Sequence, residues 1–380
     1  MARLDLPILL ERRATATLLL VSGTLSVLYL VGYDLGYLIA EPVRWQRQPW
    51  LLITTTLLHA NPLHLAFNLY WLAVFGVAIE GVFGTLRTAA LLLVLAASSS
   101  AAEHAVSASA IGLSGVGYGL FGFLWAIQRS DPRFRGAIDQ QTTLLFVAWF
   151  FFCIASTYTG LLPIGNVAHA SGALMGGLLG WGCSRARAPG LARFLPSAGF
   201  VGLVALACTV GRPLLMKREI LAWEYGEEGL EALNADRNER AAELLELAVR
   251  TDASERGSWW NLGVARWRLE RFEEANEAFD RAVALAPPEG EDRSFLVQLK
   301  TTLSERARMA GDAAEAEALL RTALELDPRS PAALNRLAYL REEAGDVDAA
   351  IALYEQASDE GSTEGWASQR LVDLKRRHGR

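Results

Sequence analysis

Ile111-Gly112-Leu113-Ser114-Gly115-Val116-Gly117-Tyr118-Gly119 opens an apolar run that continues to Arg129. The serine sits between glycines at the mouth of what reads as a buried helix. Glycine lets a backbone or a substrate approach closely, so Ser114 is placed as a nucleophile would be. Taken alone, Gly-x-Ser-Gly in an apolar run more often marks helices packed through small residues. The residues around it have to decide.

Working outward from 113–129, six further apolar stretches are marked at 16–38, 63–82, 86–102, 142–160, 163–183 and 197–216. About 20 apolar residues cross a bilayer, so the chain reads as polytopic and all-α. The first stretch is too long, and lacks the small-residue cleavage site, to be a removable signal peptide. Arginines set the orientation, because cytoplasmic loops collect Lys and Arg. Arg12 and Arg13 precede the first span, and Arg87 lies between the second and third. Arg129, Arg133 and Arg135 follow the fourth, and Arg185, Arg187 and Arg193 follow the sixth. The opposite loops hold few, apart from Arg44 and Arg47. The amino terminus is therefore expected in the cytoplasm. If 197–216 is a seventh span, everything after it lies on the other side; if 197–216 only lies on the membrane, it stays inside. Arg212, Lys217 and Arg218 after that stretch weaken the seven-span reading.

Charge divides the chain in the same place. Up to Arg218 there are 8 of the 42 acidic residues and 15 of the 36 Lys+Arg, a net of +7; beyond it the balance is −13. A cationic membrane part followed by an acidic water-soluble part fits this asymmetry. The acidic part excludes nucleic acid as a partner, since phosphate contacts need the opposite sign. Cys153, Cys183 and Cys208 lie in apolar runs without metal-ligand spacing and read as small core residues.

From Glu219 onward the pattern is helical and repetitive. Ala-x3-large-x2-Ala recurs at Ala241/Leu245/Ala248, Ala275/Phe279/Ala282, Ala316/Leu320/Ala323 and Ala350/Tyr354/Ala357, in steps of 34, 41 and 34 residues. Pro287 and Pro328 close two of these units and Trp260-Asn261-Leu262-Gly263 opens one. The long step implies an insertion around Pro287–Asp292. This tail resembles the tetratricopeptide repeat over about 225–363, with a capping helix near 364–378. The resemblance implies an α-solenoid that holds a peptide or protein partner.

Ionisable groups inside apolar spans face a protein interior or a water-filled cavity. Four of the five histidines, His59, His64, His104 and His169, lie in the membrane half. In Ala168-His169-Ala170-Ser171-Gly172-Ala173-Leu174-Met175-Gly176, a histidine begins a span and glycines follow on one face. In His59-Ala60-Asn61-Pro62-Leu63-His64-Leu65-Ala66-Phe67-Asn68, His64 and Asn68 are stacked four residues apart. Two side-chain donors on one face suit an oxyanion hole, where negative charge develops on a tetrahedral intermediate. His59 reads instead as a polar group bonded to a loop.

These pieces, in this order and each at a span, resemble the rhomboid family of intramembrane serine proteases over roughly residues 15–185. The resemblance implies a six-helix rhomboid-type bundle in 1–195; the apolar stretch after it is expected as a seventh transmembrane helix in 196–218, followed by the tetratricopeptide-repeat solenoid in 219–380. It implies Ser114 as nucleophile and His169 as general base. His64, Asn68 and the Ser114 amide would form the oxyanion hole. Gly112, Tyr118, Gly172 and Gly176 would support the site, and Glu80 would brace the loop between the first two spans. Where the family frequently carries Trp-Arg in that loop, this chain has Trp50-Leu51 with Arg47 upstream, which leaves the loop's tether open. No carboxylate stands at a position to orient His169, so a dyad is expected, with no metal or other cofactor. Expected partners are transmembrane protein substrates, the lipid bilayer and a protein bound by the repeats. The expected place is a bacterial inner membrane, with the site on the non-cytoplasmic side. The alternative is an inactive rhomboid-like adaptor. A membrane metallohydrolase is weaker, for want of His-Glu-x2-His.

Overall fold

Why seven apolar stretches become the helices they do is set by a few residues at their ends. The computed structural model describes residues 6–40, 47–107, 110–184 and 190–379, all helices and loops with no strand among them. Arg44, Arg185 and Arg187, which entered the orientation argument, lie outside the described residues. The chain divides into two units, Met1–Glu224 and Tyr225–Arg380.

In the first unit a short α1 (Leu6–Glu11) leads into the first span, α2 (Arg13–Leu30). This span stops eight residues before the expected 38, because Gly32 turns the backbone to a φ of +97°. A one-turn helix α3 (Leu51–Thr54) lies in the following loop. Then come α4 (Pro62–Phe83), α5 (Thr85–His104), α6 (Ser114–Ile127), α7 (Gln140–Tyr158), α8 (Asn166–Gly182) and α9 (Leu195–Cys208). α4 begins where Asn61 caps it, its side chain accepting the His64 amide at 2.8 Å, with Pro62 in the first turn. Asp139 caps α7 in the same way through the Thr142 amide. The last stretch ends earlier than 216. α9 stops at Cys208, and a separate turn α10 (Arg212–Leu215) follows.

By length and apolar composition α2, α4, α5 and α7 can each cross a membrane, as can Leu191–Cys208, which contains α9. α6 is shorter, with 14 residues, or about 21 Å of helix. α6 is sheathed by the others: Val116, Leu120, Phe123, Leu124 and Ile127 pack with Trp71, Phe75 and Ile79 of α4 and Leu92 and Leu95 of α5.

α6 and α8 touch through backbone. A Cβ on Gly172 would run into the Gly115 carbonyl, one on Gly176 into that of Gly119, and one on Gly180 into that of Phe123. Glycine within a helix costs about 1 kcal/mol relative to alanine. α8 carries five glycines between Gly172 and Gly182, so propensity alone argues against it. Close contact with α6 offsets that, as in other small-residue membrane helix pairs.

In the second unit α11 (Arg218–Asn234), which starts before the division, pairs with α12 (Asn238–Thr251). α13 (Arg256–Arg268) pairs with α14 (Phe272–Leu285), α15 (Gly290–Met309) with α16 (Ala313–Leu326) and α17 (Pro331–Glu343) with α18 (Val347–Asp359); α19 (Gly365–Arg377) closes the array. Every alanine of the repeated frame is fully buried, and the large residue between them, from Leu245 to Tyr354, is at most 2% exposed. Gly263 faces the Phe279 ring, which a Cβ there would meet at 2.7 Å. The 41-residue step is explained by α15, with 20 residues against 13 in α13 and in α17. Seven extra residues are close to two helical turns, so the buried face keeps its direction while the helix lengthens.

Candidate active site

Ser114 is the first residue of α6 and half-buried. The loop leading to it is held from beneath by the chain between α3 and α4. The Gly112 amide donates to the Thr55 carbonyl at 3.3 Å, and the Thr55 hydroxyl donates to the Ala110 carbonyl at 2.8 Å. The Leu113 amide donates to His59 Nε2 at 3.3 Å. That bond fixes the tautomer of His59, since Nε2 must accept and Nδ1 therefore carries the proton. Nδ1 lies 2.9 Å from the Ser26 hydroxyl, which in turn donates to the Leu57 carbonyl at 2.9 Å. His59 is fully buried and thus has a partner on each nitrogen.

His64 lies above this loop. Gly112 has a φ of +115°, and a Cβ there would stand 2.6 Å from His64 Cε1. No other residue fits that conformation and that space together. Asn68 is one turn further along α4 and 5% exposed; its Nδ2 has no hydrogen-bond partner among the described residues. A buried amide donor without a partner is uncommon in a folded chain.

His169 sits in the first turns of α8 and is 3% exposed. Its ring stacks on Tyr118 with centroids 4.6 Å apart and planes 24° apart. Tyr118 lies one turn below Ser114 and is itself fixed by its hydroxyl donating to the Phe146 carbonyl at 3.1 Å. Gly115, next to Ser114, packs against the carbonyl of Ala168, next to His169. Gly112 beside His64, Gly115 beside Ala168 and Tyr118 on His169 thus bring the segments carrying Ser114, His64 and His169 together at one end of α4, α6 and α8. His169 Nδ1 has no hydrogen-bond partner among the described residues, so no carboxylate orients the ring through that nitrogen.

Glu80 is the exception. It does not brace the loop between the first two spans. Its carboxylate accepts from the Ala14 amide at 3.0 Å, the Thr15 amide at 2.9 Å, the Thr15 hydroxyl at 2.8 Å and the Thr85 hydroxyl at 2.8 Å. The reason is distance along α4: Glu80 lies more than four turns from His64, near the end opposite the loop. It ties together the starts of α2 and α5. The loop is anchored instead by Leu51, which is buried with Ala101 and Ala102 of α5, Ala105 just after it, and Val204 and Cys208 of α9, while Trp50 is exposed.

Sequence reading missed one carboxylate. Glu103, near the end of α5, is 6% exposed and accepts the Ala168 amide at 2.8 Å. The signal was available, for Glu103 is one of only eight acidic residues before Glu219. The described residues hold no cluster of His, Cys, Asp or Glu able to bind a metal.

The first unit is a polytopic helical bundle of the membrane-embedded class, with a serine, two histidines and an asparagine on the segments near one end. The rhomboid domain family matches residues 46–186, and two tetratricopeptide-repeat families match 255–329 and 307–372. Rhomboid protease GlpG of Haemophilus influenzae is 32% identical over 152 residues, covering 39% of this chain and 77% of that protein. Rhomboid protease GlpG of Pectobacterium atrosepticum is 30% identical, covering 44% of this chain and 63% of that protein, somewhat less than two thirds of its length. Among solved structures, YrrB, described as a TPR protein with an unusual peptide-binding site, is 17% identical with a TM-score of 0.32, over 42% of this chain and 78% of that one. The chain belongs to the rhomboid family of intramembrane proteases and carries tetratricopeptide repeats behind the rhomboid domain. It is an integral membrane protein with bacterial relatives.

Proposed function

We propose that the protein is an active intramembrane serine endopeptidase working through a Ser114–His169 dyad. The observation that carries this is the seating of His169: a buried imidazole stacked on Tyr118, on a helix whose glycines bring it against the helix that Ser114 begins. A serine hydroxyl is a weak nucleophile until a base removes its proton, and neutral imidazole does so near neutral pH. The ring is oriented by stacking and by its helix, since its Nδ1 lacks a carboxylate partner. Attack on a peptide carbonyl places negative charge on its oxygen. Asn68 Nδ2, the His64 ring and the Ser114 amide would receive that charge. The substrate is a transmembrane segment of another protein, cleaved where small or helix-destabilising residues unwind it. The repeats recruit a partner or the substrate.

The test is cleavage of a model transmembrane substrate by the purified full-length protein. Ser114→Ala and His169→Ala are each expected to abolish cleavage, and a chelator to leave it unchanged. Activity that survives Ser114→Ala sinks the dyad, and loss with chelator favours a metal. No cleavage by the native chain, with client segments still bound, makes it an adaptor.

A further inference from the structure

The helix that carries His169 has no cap of its own. α8 begins at Asn166, its N-cap residue is Gly165, and no side chain of its own segment bonds its first amides. The first amides of any helix lack intrahelical partners, and inside a membrane protein water is scarce to satisfy them. Gly165 is not glycine for conformational reasons, since its φ of −72° suits any residue. The space beside it is tight. A Cβ there would lie 3.2 Å from Glu103 Oε2 and 3.3 Å from Glu103 Cδ. That same Oε2 accepts the amide of Ala168, the third residue of the helix, at 2.8 Å.

We infer that Glu103 is a positioning residue for the general base, a cap supplied to α8 by the neighbouring helix α5. A carboxylate at a helix N-terminus satisfies orphan amides and opposes the positive end of the dipole. Here it does so one residue before His169, whose own amide closes the first turn onto the Gly165 carbonyl at 3.2 Å. His169 then depends on two restraints, ring stacking on Tyr118 from one side and backbone capping by Glu103 from the other. The division of labour differs from a triad: the acid fixes the base through its backbone and leaves Nδ1 alone.

The inference rests on the proposed dyad, and its test separates the two. In the full-length protein, Glu103→Ala is expected to lower kcat by about ten- to a hundredfold, with the rate of Ser114 labelling by a fluorophosphonate falling in parallel. KM should stay within about twofold, because substrate binding is untouched. Glu103→Gln keeps an acceptor oxygen of the same reach and should restore most of kcat. The decisive variant puts a cap back in its usual place. Gly165→Asp is expected to rescue Glu103→Ala, into the space the glutamate vacated, and to impair the otherwise native chain, where that space is filled. A Glu103→Ala kcat within about twofold of native overturns the assignment, as does a loss that Gly165→Asp fails to recover. Residual cleavage by Ser114→Ala, run alongside, refutes the dyad and leaves the capping geometry a separate matter.

Discussion

At the scale of one residue, the proposed oxyanion role is most open to test at Asn68. A buried amide whose Nδ2 finds no partner forgoes about 1–3 kcal/mol of hydrogen bonding. A fold tolerates such a loss where the donor is kept for something that arrives. Asn68→Ala is expected to lower kcat by about a hundred- to a thousandfold with little change in KM, the range for removal of one oxyanion donor. Equal kcat in steady-state cleavage assays of the two proteins would show that Asn68 faces no developing charge. His59 is the opposite case. Both of its nitrogens are occupied, by the Leu113 amide and the Ser26 hydroxyl, so it holds the loop before Ser114 and has no free lone pair for substrate. The two residues lie in one motif, and only their partners tell them apart.

At the scale of elements, α6 and α8 make the sharpest prediction because two adjacent glycines should behave oppositely. Gly176 lies on the Gly119 carbonyl, a backbone atom that cannot rotate away, whereas the nearest atom to a Cβ on Gly177 is 3.9 Å off. Gly176→Ala should separate the helices, destabilise the protein by at least the 1–3 kcal/mol of an overpacked core and abolish cleavage. Gly177→Ala should keep activity and gain up to about 1 kcal/mol from propensity. Thermal unfolding in detergent with parallel cleavage assays checks both, and equal effects would contradict the packing. Much of this pair was legible in the sequence, since Gly172 and Gly176 stand on one face with His169 ahead of them. The repeat frame was equally legible, because small alanines at fixed spacing can only face another helix. Other features were hidden because they are tertiary. The inserted residues around Gly290 became helix, through packing that no local signal announces. Glu80 was assigned to the wrong end because its partners, Ala14, Thr15 and Thr85, lie at helix starts distant or hidden in sequence. Glu103 went unnoticed since its acceptor role is toward a backbone amide 65 residues away.

For the whole molecule the open question is which side of the membrane the repeats occupy, and the packing of α9 bears on it. α5 runs from Thr85, at the end where Glu80 ties the helix starts together, to His104, at the Ser114 end. The late residues of α9, Val204 and Cys208, pack with the end of α5, Ala101, Ala102 and the following Ala105. The two helices therefore run in the same direction, and α9 ends at the Ser114 end of the bundle. A helix lying flat on the membrane would not track α5 in this way. Arg12 and Arg193 precede α2 and α9, and Arg87 lies in the first turn of α5, which puts the other end in the cytoplasm by the positive-inside rule. We therefore expect α9 to be a seventh span and the acidic repeats to follow it on the non-cytoplasmic side, the side on which a substrate's exposed flank would be met. Ser254 is exposed in the loop between α12 and α13, whereas native Cys153 and Cys208 are buried and Cys183 is partly so. A Ser254→Cys variant should react with a membrane-impermeant maleimide in intact spheroplasts, above the background of the parent chain. Labelling that appears only after lysis would put the repeats in the cytoplasm. In that case the repeats could meet only the cytoplasmic flank of a substrate, and recruitment would have to act across the bilayer from the dyad.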